Sequence, residues 1–291
     1  PELARATALM ELPDGVNAHG RLPSEVRIAG PLGDLRDLRF RGNVGFEQLQ
    51  ATHPSLAAPV AIPQGDMELN GIRAIFEDLP IALGDDRIFL SGEVVDLLAF
   101  LDTDATPRFQ GTIRATRIDL PKLSARPRPD SALTYGKVAF AKVGGRQIQG
   151  RSIQEAAEDL GLVRPNSLPL SGRLAVTLDT VIDTQGRMED LRAQMEFGPD
   201  FLLVSDASFR RYGGEIRTNA DLNLSGSQEA PFSANLRVQG LDAGDFLSQT
   251  TPLGRFVRGT LDLEVDLVGT LDGLLLPEGP SLVGSATFSL T

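Results

Sequence analysis

Residues 259–269 read GTLDLEVDLVG. Leu261, Leu263, Val265 and Leu267 alternate with Asp262, Glu264 and Asp266. A period of two puts the aliphatic residues on one face of an extended strand and the acids on the other. The same pattern recurs through the chain. Residues 172–183 carry Leu174, Val176, Leu178 and Ile182; residues 216–224 carry Ile216, Ala220, Leu222 and Leu224. Residues 232–238 carry Phe232, Ala234, Leu236 and Val238, and residues 38–46 carry Leu38, Phe40, Val44 and Phe46. Shorter or less regular strand candidates are 65–69, 87–92, 111–120, 134–141, 193–197, 201–209 and 282–290.

Turn residues punctuate these runs, as at Gly84-Asp85-Asp86, Gly198-Pro199-Asp200 and Tyr212-Gly213-Gly214. Many short strands joined by turns predict a mostly β, antiparallel architecture. Helix signals are few. Ser152 and Glu155 make a capping box, followed by an apolar stripe that Gly161 ends, so a short helix is expected near 152–161. Two more are expected at 242–249, capped by Asp242, and at 93–101. The absence of strand–helix alternation argues against a parallel α/β sheet.

The chain also resembles itself. Residues 109–119 (FQGTIRATRID) lie over 232–242 (FSANLRVQGLD), and 172–179 lie over 259–266. Such matches suggest internal repetition, although alternation alone produces some of them.

Composition narrows the function classes. The 291 residues contain 41% hydrophobic and 23% charged side chains, enough to fold around a large apolar surface. Aromatics are 5% and Trp is absent, so that surface is mainly aliphatic. With no Cys, thiol catalysis, thiolate metal sites and disulfides are excluded. The two histidines, His19 and His53, are far apart in sequence. The net charge of −11, with Lys only at 122, 137 and 142, disfavours nucleic acid as a partner. No apolar run approaches the ~18 residues of a spanning helix.

No hydrolase, phosphate-loop, zinc-protease or dinucleotide motif occurs, so no catalytic residue, metal or cofactor is expected. Asp85-Asp86 reads as a turn, Arg210-Arg211-Tyr212 as a solvated strand end, and 126–129 as an exposed linker. The amount of one-faced strand is the informative feature, because each such face must be covered. A filled sandwich and an open groove covered by acyl chains both satisfy that demand.

One succession of elements is more specific. Residues 212–226 (YGGEIRTNADLNLSG) are followed by the strand 232–241 (FSANLRVQGL), the short helix 242–248 (DAGDFLS), the strand 259–269 and the strand 282–290 (LVGSATFSL). This order resembles the C-terminal β region of the AsmA-like family, with TamB and YhdP as relatives. The resemblance covers about residues 166–291, while 1–165 match in style only. It implies a long antiparallel sheet curved into a taco-like apolar groove, to which the helix signals above add two or three short helices. The implied division is 1–165, the N-terminal part of the groove, and 166–291, the AsmA-like part of a longer chain.

It further implies an envelope protein of Gram-negative bacteria, periplasmic and anchored to the inner membrane through a segment outside this sequence. Such a protein would conduct phospholipid between the membranes and support outer-membrane assembly. Its partners would be acyl chains, the membranes at its ends, and inner- or outer-membrane proteins. On this view Leu174, Val176, Leu178, Leu222, Leu224, Leu236, Val238, Leu261, Leu263, Val265 and Leu267 line the lipid path. Asp179, Asp221, Arg237, Asp262, Glu264 and Asp266 face water. The alternative expectation is a non-catalytic structural or interaction protein of the bacterial envelope, a sandwich or solenoid with a filled core.

Overall fold

The computed structural model describes residues 17–31, 37–53, 56–100, 106–123, 170–183, 186–225, 230–250, 254, 256–271 and 283–291. These form one long, curved, unclosed sheet of fourteen strands. The first half comprises β1 (Asn17–Arg21), β2 (Ser24–Ala29), β3 (Arg39–Thr52), β4 (Val60–Gly71), β5 (Arg73–Leu83), β6 (Asp86–Val95) and β7 (Arg108–Asp119). The second comprises β8 (Ser171–Asp183), β9 (Gly186–Gly198), β10 (Phe201–Arg211), β11 (Gly214–Asn223), β12 (Ala230–Asp242), β13 (Thr260–Leu271) and β14 (Val283–Leu290). Both β1 and β2 pair with β3, so they act as one edge strand broken at Leu22-Pro23.

Spatial order otherwise follows sequence order, as expected of strands joined by tight turns. One pairing departs from the antiparallel expectation: β7 and β8 run parallel. Parallel neighbours cannot be joined by a tight turn, and β7 and β8 are separated by 51 residues in sequence. Among the described residues two α-helices follow strand ends, α1 (Leu120–Leu123) after β7 and α2 (Ala243–Thr250) after β12. Asp242 caps α2, its Oδ1 accepting the Asp245 N–H at 2.8 Å. The helix expected at 93–101 is instead the end of β6 followed by one 3-10 turn, Leu97–Phe100. Val94 pairs with Phe109 in the ladder, and tertiary pairing overrides the local helical pattern there. The helix expected near 152–161 and the strand 134–141 lie outside the described residues.

Sequence periodicity missed β5, because a bulge breaks its alternation. Pairing with β6 shifts between Phe76 and Leu79, and Asp78 takes the left-handed conformation with φ 47°. The Asp78 N–H donates to Ser91 Oγ on β6 at 2.9 Å. The same device recurs in β10, where Asp206 (φ 50°) donates its N–H to Asn219 Oδ1 of β11 at 2.9 Å. Each bulge leaves a backbone donor outside the ladder, and a neighbouring polar side chain satisfies it.

One face of the sheet carries cross-strand charge pairs. Arg237 meets Glu264 at 2.9 Å, Arg173 meets Glu196 at 3.3 Å and Arg73 meets Glu93 at 3.4 Å. Being exposed, each contributes about 0.2–1 kcal/mol. Arg211 differs from the solvated residue expected from sequence. Its side chain is 8% exposed and binds Asp183 through both terminal nitrogens, at 2.8 and 2.9 Å. Its guanidinium also lies 4.9 Å from the Tyr212 ring centre. Burial opposes its charge, but the hydrogen bonds to Asp183 and Tyr212 outweigh it and hold its pKa above the ordinary value.

Candidate functional site

In a sheet, directly paired residues share a face, so the register identifies the inner surface. One row runs unbroken from β2 to β13. It passes through Val26, Gly42, Leu69, Ala74, Val94, Phe109, Gly172, Phe197, Leu202, Leu222, Phe232 and Gly269. Every member is apolar or glycine. Twelve strands spaced ~4.8 Å apart extend this row over roughly 50 Å.

Ten of the eleven residues expected to line the path lie within strands and share this face by register. Leu222 belongs to the row. Leu174 and Leu267 belong to the next one, which runs Leu267, Ala234, Ala220, Val204, Met195, Leu174, Gly111, Gly92, Phe76. Val176 pairs with Ile113 and Leu178 with Ala115. Leu236 faces Val265, Val238 faces Leu263, and Leu261 faces Leu241. Leu224 lies just past the end of β11, where its N–H donates to the Asp200 carbonyl at 2.6 Å. The six expected outward residues are all exposed.

The face is not uniform. Beneath α2, Ile216, Val238 and Leu241 form a closed cluster, with Leu236, Leu261, Leu263, Phe209, Tyr212 and Phe246 packed around it. Val238 is 5% exposed there. By contrast, Leu174, Val176, Leu178, Leu222, Val265 and Leu267 are only half-buried. Among the described residues no second sheet exists to cover them, and no large side chain is fully buried.

Sequence periodicity did not single out the aromatic residues at the centre of the face. Phe76 and Phe109 stack with ring centres 6.0 Å apart, and Phe109 approaches Phe197 at 6.5 Å. Their strands are next-but-one neighbours. The rings meet because the intervening positions Gly92 and Gly172 have no side chain. A Cβ on Gly172 would stand 2.0 Å from the Phe109 carbonyl oxygen, and one on Gly92 2.4 Å from that of Gln110. Neighbouring backbones therefore approach closely at these two glycines, where no side chain could be placed without displacement. The recurrence of Phe and Gly at inward positions of 109–111 and 172 was a readable signal.

An open concavity of about 660 Å³ lies elsewhere, between β1, β3 and β4, lined by His19, Arg21, Glu47, Gln48, Gln50 and neighbours. It is separate from the long apolar row. Among the described residues no group of three acidic or histidine side chains is placed to hold a metal, and no helix is long and apolar enough to cross a membrane. No protein-family model matches the chain, and no curated protein is found to be similar to it.

Proposed function

We propose that the chain is a section of a lipid-conducting β groove of the AsmA-like kind, acting in the periplasm between the two membranes of a Gram-negative envelope. The observation supporting this reading is the twelve-residue apolar row, in which Leu69 and Ala74 are buried, the other ten members are only half-buried, and no second sheet lies among the described residues. The chemistry of that surface favours acyl chains as occupant. The sheet's peptide groups bond within its ladders, so the face offers few partners to a polar guest. A polypeptide laid across it would need to satisfy its own backbone groups, whereas a polymethylene chain has none. Each methylene removed from water contributes about 0.8 kcal/mol. Repeated along many similar rungs, such contacts hold a chain without fixing it at one place. The charged opposite face keeps the other side wetted.

The test uses the absence of Trp from the natural chain. A Leu222→Trp variant carries a single indole in the row, and a Phe89→Trp variant places one on strand β6 outside it. Phospholipid brominated on its acyl chains should quench the first strongly and the second weakly. Lipid extracted after mild purification should contain stoichiometric phospholipid. Equal quenching at both positions, with no lipid in the extract, would overturn the proposal.

A further inference from the structure

The apolar row has a neighbour on the opposite face. One residue nearer the same rim, the register aligns Arg27, Arg41, Asn70, Arg73, Val95 and Arg108 across β2 to β7. Each adjoins a member of the apolar row in the chain: Arg27 follows Val26, Arg41 precedes Gly42, Arg73 precedes Ala74 and Arg108 precedes Phe109. This outer row holds four Arg and no acid, in a chain of net charge −11. Strands β3 to β7 are paired on both sides, so the row does not depend on a free edge of the sheet.

Arg73 meets Glu93 at 3.4 Å and Arg108 meets Asp96 at 3.2 Å, yet the two arginine side chains stay more than half exposed. Among the described residues Arg27 and Arg41 have no ion pair. They stand directly opposite one another, and like charges so placed repel unless an anion lies between them. The far rim has the opposite character. There β6 begins at Asp86, and β7, β8 and β12 end at Asp119, Asp183 and Asp242, with both α-helices following strand ends on that side. At the arginine rim β3, β5 and β7 begin at Arg39, Arg73 and Arg108.

A phospholipid whose acyl chains lie on the apolar row must carry its headgroup to a rim, because the row itself has no polar side chain to hold it. We infer that the headgroup passes over the arginine rim and that the arginine row selects net-anionic phospholipid, the phosphodiester lying between guanidiniums of neighbouring strands. This inference rests on the lipid reading above. The guanidinium fork matches a pair of phosphate oxygens. An ammonium headgroup finds no acid in this row. Glu25, Glu68 and Glu93 lie one outer row farther from the rim, and Asp96, just past β6, is held by Arg108. Five strand spacings of ~4.8 Å separate Arg27 from Arg108, so the track runs for roughly 24 Å beside the apolar row. The long-range field of a chain at −11 favours zwitterionic over anionic lipid. A preference for anionic lipid therefore has to come from local contacts.

The test incubates the protein with vesicles of equal parts phosphatidylglycerol and phosphatidylcholine, re-isolates it and measures the bound lipid by mass spectrometry. In dilute salt the wild type should carry about threefold or more phosphatidylglycerol over phosphatidylcholine. The double variant Arg41→Gln with Arg73→Gln should return the ratio to near parity while the total bound lipid stays the same. Arg217→Gln with Arg237→Gln makes the same change of net charge on the outward side of β11 and β12, and should keep the enrichment. Circular dichroism checks that each variant is folded. Three results would overturn the inference: bound lipid without enrichment in the wild type, equal loss of enrichment in both double variants, or displacement of phosphatidylglycerol by inorganic phosphate, which marks a free-phosphate site. Recovery of no lipid at all defeats the lipid reading and this inference with it, whereas bound lipid at parity defeats this inference alone.

Discussion

Arg211, at the end of β10, grips Asp183, at the end of β8, across the strand that separates them. The bidentate contact passes close to Gly186, the first residue of β9, where a Cβ would stand 3.8 Å from Arg211 Nη2. Three strands are thereby tied at one rim of the sheet. Arg211→Lys keeps the charge but loses the two-pronged geometry, and should cost about 1–2 kcal/mol. Asp183→Ala leaves a nearly buried guanidinium without its carboxylate and should cost more, about 3 kcal/mol. Urea unfolding of the two variants measures both, and the order of the losses is the expected outcome.

Two regions of the inner face should respond differently to charge. Leu241→Arg places a cation inside the closed cluster beneath α2 and should destabilise by about 4 kcal/mol or more. Leu222→Arg lies on the open row, where the long side chain can lead its head group to water. It should lower Tm by only a few degrees while depleting bound lipid. Leu263 touches the closed cluster and should fall between the two.

The seam glycines admit a close approach of neighbouring backbones. Gly172→Val sets a branched side chain against the Phe109 backbone, with contacts starting at 2.0 Å. Backbone cannot yield as a flexible side chain can, so a loss of about 3 kcal/mol or more is expected. Near-ultraviolet circular dichroism in the phenylalanine region should change as Phe109 and Phe197 separate.

Acid should loosen the β5 bulge. The Ser91 hydroxyl and the Arg114 guanidinium both donate to Asp78, holding its carboxyl pKa below the ordinary value of 3.8. A carboxyl with a lowered folded-state pKa stabilises above its unfolded pKa, and that contribution is lost as pH falls through the folded value. Asp78→Asn should therefore lower Tm at neutral pH and make less difference as pH drops below about 3.8. Thermal scans of both proteins from pH 7 to pH 2 give the comparison.

Solution scattering tests the shape. A compact domain of this length would have a radius of gyration near 19 Å. A sheet whose strands follow one another over roughly 50 Å should give a clearly larger value and an asymmetric distance distribution.

Alternation was sufficient to locate most strands. Leu261, Leu263, Val265 and Leu267 could bury one side only by extending, and the structure has them in β13. Asp242 marked the start of α2 for an equally local reason, its side chain capping the first turn. Even the resemblance between 109–119 and 232–242 has a local counterpart, since β7 and β12 both end in Asp and lead into a helix. The path of the chain beyond those two helices is not a local matter. After β12 the chain returns antiparallel as β13, whereas after β7 it crosses over and enters β8 in parallel. Similar strands take opposite partners because pairing is chosen by the connection and the whole sheet. The row from Val26 to Gly269, the Phe109–Gly172–Phe197 contact and the Arg211–Asp183 bond belong to the same category. Each joins residues separated by at least one other strand, and period-two patterning specifies which side a residue takes within its own strand but not which residues lie beside it. That depended on register, on the bulges at Asp78 and Asp206 that reset it, and on the close backbone approach that the seam glycines permit.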